Sequence, residues 1–211
     1  MKKGIFISFE GTDGAGKSTQ IAFAEDYFKS RGYDVVMTRE PGGTPIGEKL
    51  REILLDKSNS EMSSVTEMMI YSAARAQLVA EVIRPALEAG QVVICDRFVD
   101  SSIAYQAFGR GLGDAVSTVN SFAIGDSMPD LTVFLDLDPA IGRSRIGKTD
   151  MDRLEQEDID FFYRVYNGYR ELAEANPDRI ASVNAAGTVD EVRAEIEAAF
   201  ARILRRISDD E

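Results

Sequence analysis

Gly11-Thr12-Asp13-Gly14-Ala15-Gly16-Lys17-Ser18 is a complete G-x-x-x-x-G-K-[ST] pattern, and its neighbours give it a structural context. Gly4-Ile5-Phe6-Ile7-Ser8-Phe9 precedes it and reads as a short buried strand; Thr19-Gln20-Ile21-Ala22-Phe23-Ala24-Glu25-Asp26-Tyr27-Phe28 follows it and reads as a helix. Strand, glycine loop and helix in that order form a cradle for polyphosphate. Glycines let the backbone curl so that several N–H groups point inward, and the helix adds its positive N-terminal end. Lys17 is expected to reach the terminal phosphates and Ser18 to ligate the magnesium ion that accompanies them.

Working outward, four more apolar runs have the length of strands: Tyr33 to Thr38, Gln91 to Asp96, Leu131 to Asp136 and Arg179 to Val183. Between them lie segments of helical spacing. The first helix should run from Lys17 to Arg31 and stop at Gly32. Others are expected over Ile46–Leu55, from Val65 to a break or restart at Pro85, across much of 101–125, and over Asp158–Ala175. Thr188-Val189-Asp190-Glu191 is a capping box that opens a C-terminal helix, with a frayed tail after Ile207. Strands alternating with helices predict an α/β fold: a P-loop NTPase-type, five-stranded parallel sheet flanked by helices on both faces. The expected organisation is a single domain over 1–211. The basic, glycine-punctuated stretch of about 142–153 should form a small mobile lid over phosphates.

Bulk composition narrows the chemistry. The chain has 211 residues, a net charge of −12, no histidine and one cysteine, Cys95. Histidine catalysis, an intrachain disulfide and a cysteine-rich zinc site are excluded. The acidic balance argues against nonspecific binding to nucleic acid or anionic membrane. With no signal-peptide pattern and no run long enough to span a membrane, a cytoplasmic location is expected. In so acidic a chain, a polyphosphate site must gather its cations locally, so the positions of Arg and Lys are informative.

Asp96 closes an apolar strand in the manner of a Walker-B carboxylate that holds magnesium, with Arg97 beside it; a capping or surface Asp is the competing reading. Arg39 also follows a strand, and strand ends of an open parallel sheet form the ligand crevice; a surface ion pair with Glu40 or another neighbour is the alternative. Tyr71 and Arg75 share a helix face, as do Ser102 and Gln106. The first pair could stack on a base and grip its edge, and the second could read a base edge beside Tyr105. A core tyrosine next to an arginine stem, and routine helix surface, are the plain alternatives.

Taken together, these segments resemble bacterial thymidylate kinases. The resemblance rests on Gly11–Thr19, Thr38–Thr44, Tyr71–Gln77, Asp96-Arg97 with Ser101–Gln106, Gly109–Leu112, Pro129–Thr132 and Asp152–Glu155, in that order, and it spans about residues 4–200. It implies transfer of a phosphoryl group from ATP–Mg²⁺ to dTMP, giving dTDP for dTTP biosynthesis. Carried over by position, Gly11, Thr12, Asp13, Gly14, Ala15, Gly16, Lys17, Ser18 and Thr19 would hold ATP, with Asn184–Gly187 near adenine. Asp13, Arg39, Tyr71, Arg75, Arg97, Ser102, Tyr105 and Gln106 would hold dTMP. Ser18 and Asp96 would hold the metal. Lys17, Arg97 and lid cations drawn from Arg145, Lys148 and Arg153 would act on the transferring group. One branch of the family carries an Arg inside the phosphate loop; Gly14 stands there, so this chain resembles the branch that uses lid cations. A homodimer is implied, built on apolar faces of the first, third and following helices. The alternatives are another nucleoside monophosphate kinase or a nucleotide-dependent switch ATPase. The switch would need no second nucleotide pocket.

Overall fold

The computed structural model describes residues 4–146 and 152–209. Its strands are β1 (Ile5–Glu10), β2 (Val35–Arg39), β3 (Val92–Asp96), β4 (Leu131–Asp136) and β5 (Ile180–Asn184). They form one sheet in the order β2-β3-β1-β4-β5, and every pairing is parallel. Alternation shows which face each residue serves. Ile5, Ile7 and Phe9 join one apolar cluster and Phe6 another; in β3, Val92 and Ile94 go with the first, Val93 and Cys95 with the second. Both faces are therefore buried, which is why the strands read as continuous apolar runs.

Helices α1 (Lys17–Lys29) and α9 (Val189–Asp209) cover the first face through Phe28, Ile196 and Phe200. On the other face, α3 (Ser64–Leu78) contributes Leu78 and α6 (Ala115–Ile124) contributes Ile124. Helix α8 (Ile159–Ala175) packs Phe161, Val165 and Tyr169 with Phe134 of β4. Helix starts follow local chemistry. Thr44 accepts from Gly47 N–H at the head of α2 (Pro45–Leu55), Ser63 from Thr66 N–H, and Asp158 from Phe161 N–H. The capping box forms reciprocally, with Thr188 N–H donating to Glu191 and Glu191 N–H to Thr188 Oγ1.

Of the break or restart expected at Pro85, the structure shows the restart: α3 passes into a π-helical turn, Val79–Ile83, and Pro85 lies in the first turn of α4 (Arg84–Glu88). A proline has no N–H to give and crowds the carbonyl four residues earlier, and the wider turn accommodates both. The helical stretch after β3 is composite: α5 (Val99–Ser102) runs into a π-helical segment, Ile103–Gly109. The front of the expected lid is the end of a helix, α7 (Pro139–Ile146), whose Arg143 and Arg145 suit the negative C-terminal end. Lys148 and the rest of 147–151 lie outside the described residues. Finally, α9 continues past Ile207 to Asp209.

The π-helical segment is held by glycine contacts. A Cβ on Gly109 would lie 2.7 Å from Phe161 Cε2, and one on Gly168 would lie 2.7 Å from Phe108 Cγ. These two glycines let α8 approach the segment that carries Tyr105 and Gln106. Gly168→Val is expected to destabilise the fold by about 1–3 kcal/mol through overpacking. Urea denaturation measures this, and an unchanged midpoint would contradict the close approach.

Candidate active site

The carboxyl ends of β1, β2 and β3 are Glu10, Arg39 and Asp96, and the register sets Asp96 opposite both Phe9 and Arg39. β1 is flanked by β3 and β4, so the order in which strands are added changes side here, and crevices in parallel sheets form at such points. A cavity of about 530 Å³ opens at this place. Asp13, Gly14, Gly16, Lys17, Ser18 and Thr19 line it from the glycine loop, Arg39 from the end of β2, and Asp96 and Arg97 from the end of β3. Tyr71 and Arg75 line it from α3, and Ser102, Tyr105 and Gln106 from the composite helix. Gly11, Thr12 and Ala15 are buried residues of the same loop.

Gly11, Gly14 and Gly16 all have positive φ (134°, 78° and 92°), which a side chain would resist. Lys17 is folded under the loop. Its Nζ donates to the Gly11 and Thr12 carbonyls at 3.0 and 3.3 Å and lies 3.7 Å from Asp13. Burial, helped by the positive charge of Arg97, brings the Lys17 ammonium down to about 8 against the pull of Asp13, Asp96 and Glu10. Such an ammonium gains most from a polyphosphate, which would replace carbonyl dipoles with full negative charge.

Arg97 has φ 67°, uncommon for a non-glycine residue. Bonds on every side hold it there. Its N–H donates to Phe9 O, its carbonyl accepts from Cys95 Sγ–H, and the next N–H, that of Phe98, donates to Glu10 Oε1 at 2.7 Å. The side chain then reaches Asp13 at 2.6 Å and lies over the Tyr105 ring. Burial would raise the Asp13 carboxyl, but Arg97 and Lys17 outweigh it and hold it below the usual range.

Arg39 does not pair with Glu40; it forms a two-pronged ion pair with Glu48 of α2 at 2.8 and 3.1 Å. Glu40 instead pairs with Arg75, which is 1% exposed and neither snorkels nor faces solvent. All five Arg75 N–H groups are engaged: two with Glu40, one with the Phe98 carbonyl, one with Ser102 Oγ at 2.9 Å and one with Asn120 Oδ1. Arg75 is thus a rigid floor of the cavity. The Tyr105 hydroxyl is buried without a hydrogen-bond partner, as is Asp96 Oδ1. An orphaned carboxylate oxygen in a cavity that Ser18 also lines suits a hard cation, since magnesium takes one or two protein oxygens and completes its shell with phosphate and water.

Of the expected lid cations, Arg145 is near the loop. Its guanidinium donates to the Gly14 carbonyl at 3.4 Å and to the Ala185 carbonyl at 3.4 and 3.5 Å, spanning the phosphate loop and the segment after β5. Arg153, expected among the catalytic cations, stands away from the loop in this structure. It donates to the Leu54 carbonyl at 2.8 Å and to Glu67 at 2.7 Å, and does not line the cavity, because a buried carboxylate and a helix-end carbonyl claim its guanidinium.

The family model for thymidylate kinase matches residues 9–196. The chain belongs to the thymidylate kinase family. It is 49% identical over 194 residues to a thymidylate kinase of Geobacillus sp. (strain WCH70), covering 90% of this chain and 92% of that one. It is 54% identical over 184 residues to one from Desulforudis audaxviator, covering 86% and 83%. The crystal structure of a thymidylate kinase from Ehrlichia chaffeensis superposes with a TM-score of 0.78 at 32% identity, covering 94% of this chain and 99% of that one.

For a member of this family, several cavity groups escaped the sequence reading. Arg51, Asp152 and Glu155 line the cavity, and Glu10 lies behind it. Glu10 ends an apolar strand just as Asp96 does, so the same signal marked it. Nothing in the spacing of α2 singled out Arg51. Glu10 accepts from Phe98 N–H, Ser101 Oγ and Tyr169 OH. Burial first, then the negative charge of Asp100, raises its carboxyl to about 7 against Ser101, Arg97 and Phe98. Between about pH 4.5 and 7 the folded chain therefore holds a proton at Glu10 that the unfolded chain has released. Stability from this group is fully present below that window and lost as pH rises through it. Glu10→Gln is expected to flatten this part of the stability–pH curve in urea titrations; an unchanged slope would contradict the shift.

Proposed function

We propose that this chain transfers the γ-phosphoryl group of ATP to dTMP, giving ADP and dTDP. The observation that carries this reading is the convergence of a phosphate loop and a second, base-sized wall in one cavity. Loop, Arg39 and Arg97 occupy one end; Tyr71, Arg75, Ser102, Tyr105 and Gln106 occupy the other. A switch ATPase has no use for that second wall. In transfer, an anionic oxygen of dTMP forms a bond to Pγ while the bond from Pγ to the bridging oxygen of ADP breaks. No nucleophilic side chain is needed, so catalysis is alignment and charge neutralisation.

In this reading Gly11–Thr19 hold the ATP phosphates, with adenine beside Asn184–Gly187. Lys17 leaves its carbonyls for the terminal phosphates. Arg97 and Arg39 meet the acceptor phosphate, and Asp13 keeps Arg97 aimed. Tyr71 stacks on the base, Arg75 underlies it with Ser102 and Gln106 at its edge, and Tyr105 offers its unpartnered hydroxyl near the sugar. Ser18 and Asp96 would hold Mg²⁺, whose chemistry is to neutralise charge on the phosphate oxygens. Arg145 serves as the cation above the phosphate loop. The place for an Arg within the loop is closed: a Cβ on Gly14 would lie 2.6 Å from the Gly142 carbonyl carbon. That contact supports the lid-cation branch, with 4–209 read as one kinase domain. No described helix is long and apolar enough to cross a membrane, in keeping with a cytoplasmic enzyme.

A second copy of the chain is the proposed partner. Ile46 and Ile53 on α2, Val65 and Met69 on α3, and Phe122 on α6 are exposed, Phe122 by 86%. Helix α3 packs between α2 and α6, so these residues belong to adjoining helices. The first helix, expected to share in this face, is instead spent on the core, where Tyr27 and Phe28 pack on Phe200. Met69→Glu with Phe122→Glu is expected to convert a dimer to a monomer in sedimentation velocity; an unaltered dimer would exclude this face.

The kinase reading is tested by turnover with dTMP, AMP and CMP as acceptors. dTMP should be strongly preferred, and equal use of AMP would overturn the substrate assignment. Lys17→Ala should retain the native circular dichroism spectrum and lose about 10²–10³-fold in kcat. Near-normal turnover would contradict its role.

A further inference from the structure

Glu67 lies on α3, one turn before Tyr71, and is 1% exposed. It does not line the cavity, and the mechanism above does not use it. Its Oε2 accepts from Arg110 at 3.0 Å and Arg153 at 2.7 Å, and its Oε1 from Arg110 Nε at 3.2 Å and Gln106 Nε2 at 3.0 Å. Burial would raise this carboxyl, but the Arg110, Gln106 and Arg153 bonds outweigh it, and the group stays ionised. An ionised carboxylate only accepts hydrogen bonds. It therefore dictates which end of the Gln106 amide it receives. The NH₂ must face Glu67, and Oε1 is left on the other side of a side chain that is 1% exposed and lines the cavity. No described group donates to that oxygen.

Ser102, one turn earlier, complements it. Its Oγ accepts from Arg75 at 2.9 Å, so its own hydrogen is free for the cavity. The wall thus presents a donor at Ser102 beside an acceptor at Gln106. A pyrimidine edge that fits offers an acceptor beside a donor: the 4-oxo group and the ring N3–H of thymine or uracil. Cytosine offers the reverse, an amino donor and a bare N3, and would leave two acceptors facing each other.

We propose that Glu67 is the specificity-determining positioning residue of this site. By holding the Gln106 carbonyl inward, it makes the enzyme require a base with a ring N–H. This rests on the kinase reading and deepens it. Arg110 and Arg153 act through Glu67, which gives Arg153 a purpose away from the phosphates.

The test compares dUMP with dCMP, which differ only at this edge. Wild type should favour dUMP by at least about 100-fold in kcat/KM, because a wrong edge leaves buried groups unpaired. In Glu67→Gln the carboxamide can donate or accept, so either Gln106 orientation is satisfied and the dUMP/dCMP ratio should fall by about tenfold or more. Glu67→Asp keeps the charge for both arginines but draws it back from Gln106, and should lower the ratio in the same direction. A purely structural role would depress both substrates together and leave the ratio intact, which overturns the proposal. If neither variant folds, wild type decides: dUMP methylated at N3 should be rejected, and normal turnover of it overturns the proposal. Failure of wild type to phosphorylate either dTMP or dUMP would sink the kinase reading itself, and this inference with it.

Discussion

The structure depends on how charge is buried at one end of the sheet. Two cations, Lys17 and Arg97, are held under and beside the phosphate loop in a chain of net charge −12. They repel each other, and burial penalises both. What makes the arrangement stable is Asp13 between them and Glu10 and Asp96 close by, together with carbonyls that accept from Lys17. Removing one partner from such a cluster would leave the remaining charges uncompensated. The cluster is therefore poised for a polyanion, whose arrival replaces weak acceptors with strong ones.

The same logic recurs deeper in the cavity. Glu40 with Arg75, Glu67 with Arg110 and Arg153, and Asp100 with Arg179 are ion pairs set in the interior, each joined by neutral hydrogen bonds, with Glu40 Oε1 left unpartnered. Buried pairs of this kind contribute little net stability, but they fix geometry. Here they hold Ser102 and Gln106 in set orientations and tie the 152–155 segment to α3.

Much of this was legible in the residues. The phosphate loop, the strand-closing Asp96, the capping box at Thr188 and the shared face of Tyr71 and Arg75 all follow from short-range rules, and short-range rules survive folding. Three things were hidden because they depend on distant partners. Arg153 belonged to a basic stretch in sequence, yet a carboxylate 86 positions earlier captures it. Arg39 finds Glu48 across a loop rather than its neighbour Glu40. The π-helical segment at 103–109 exists because Gly109 and Gly168 admit α8 closely, which no local propensity records. The apolar residues of α1 likewise pack against those of α9, at the far end of the chain.

In the proposed reaction one cavity aligns a donor and an acceptor phosphate, so that the phosphoryl group passes between nucleotides and not to water. Phosphorus NMR of the chain with Mg²⁺, ATP and dTMP measures this directly. dTDP and ADP are expected to appear in equal amounts, with no accumulation of inorganic phosphate and no ATP loss when dTMP is left out. Release of inorganic phosphate at the same rate with or without dTMP would contradict it.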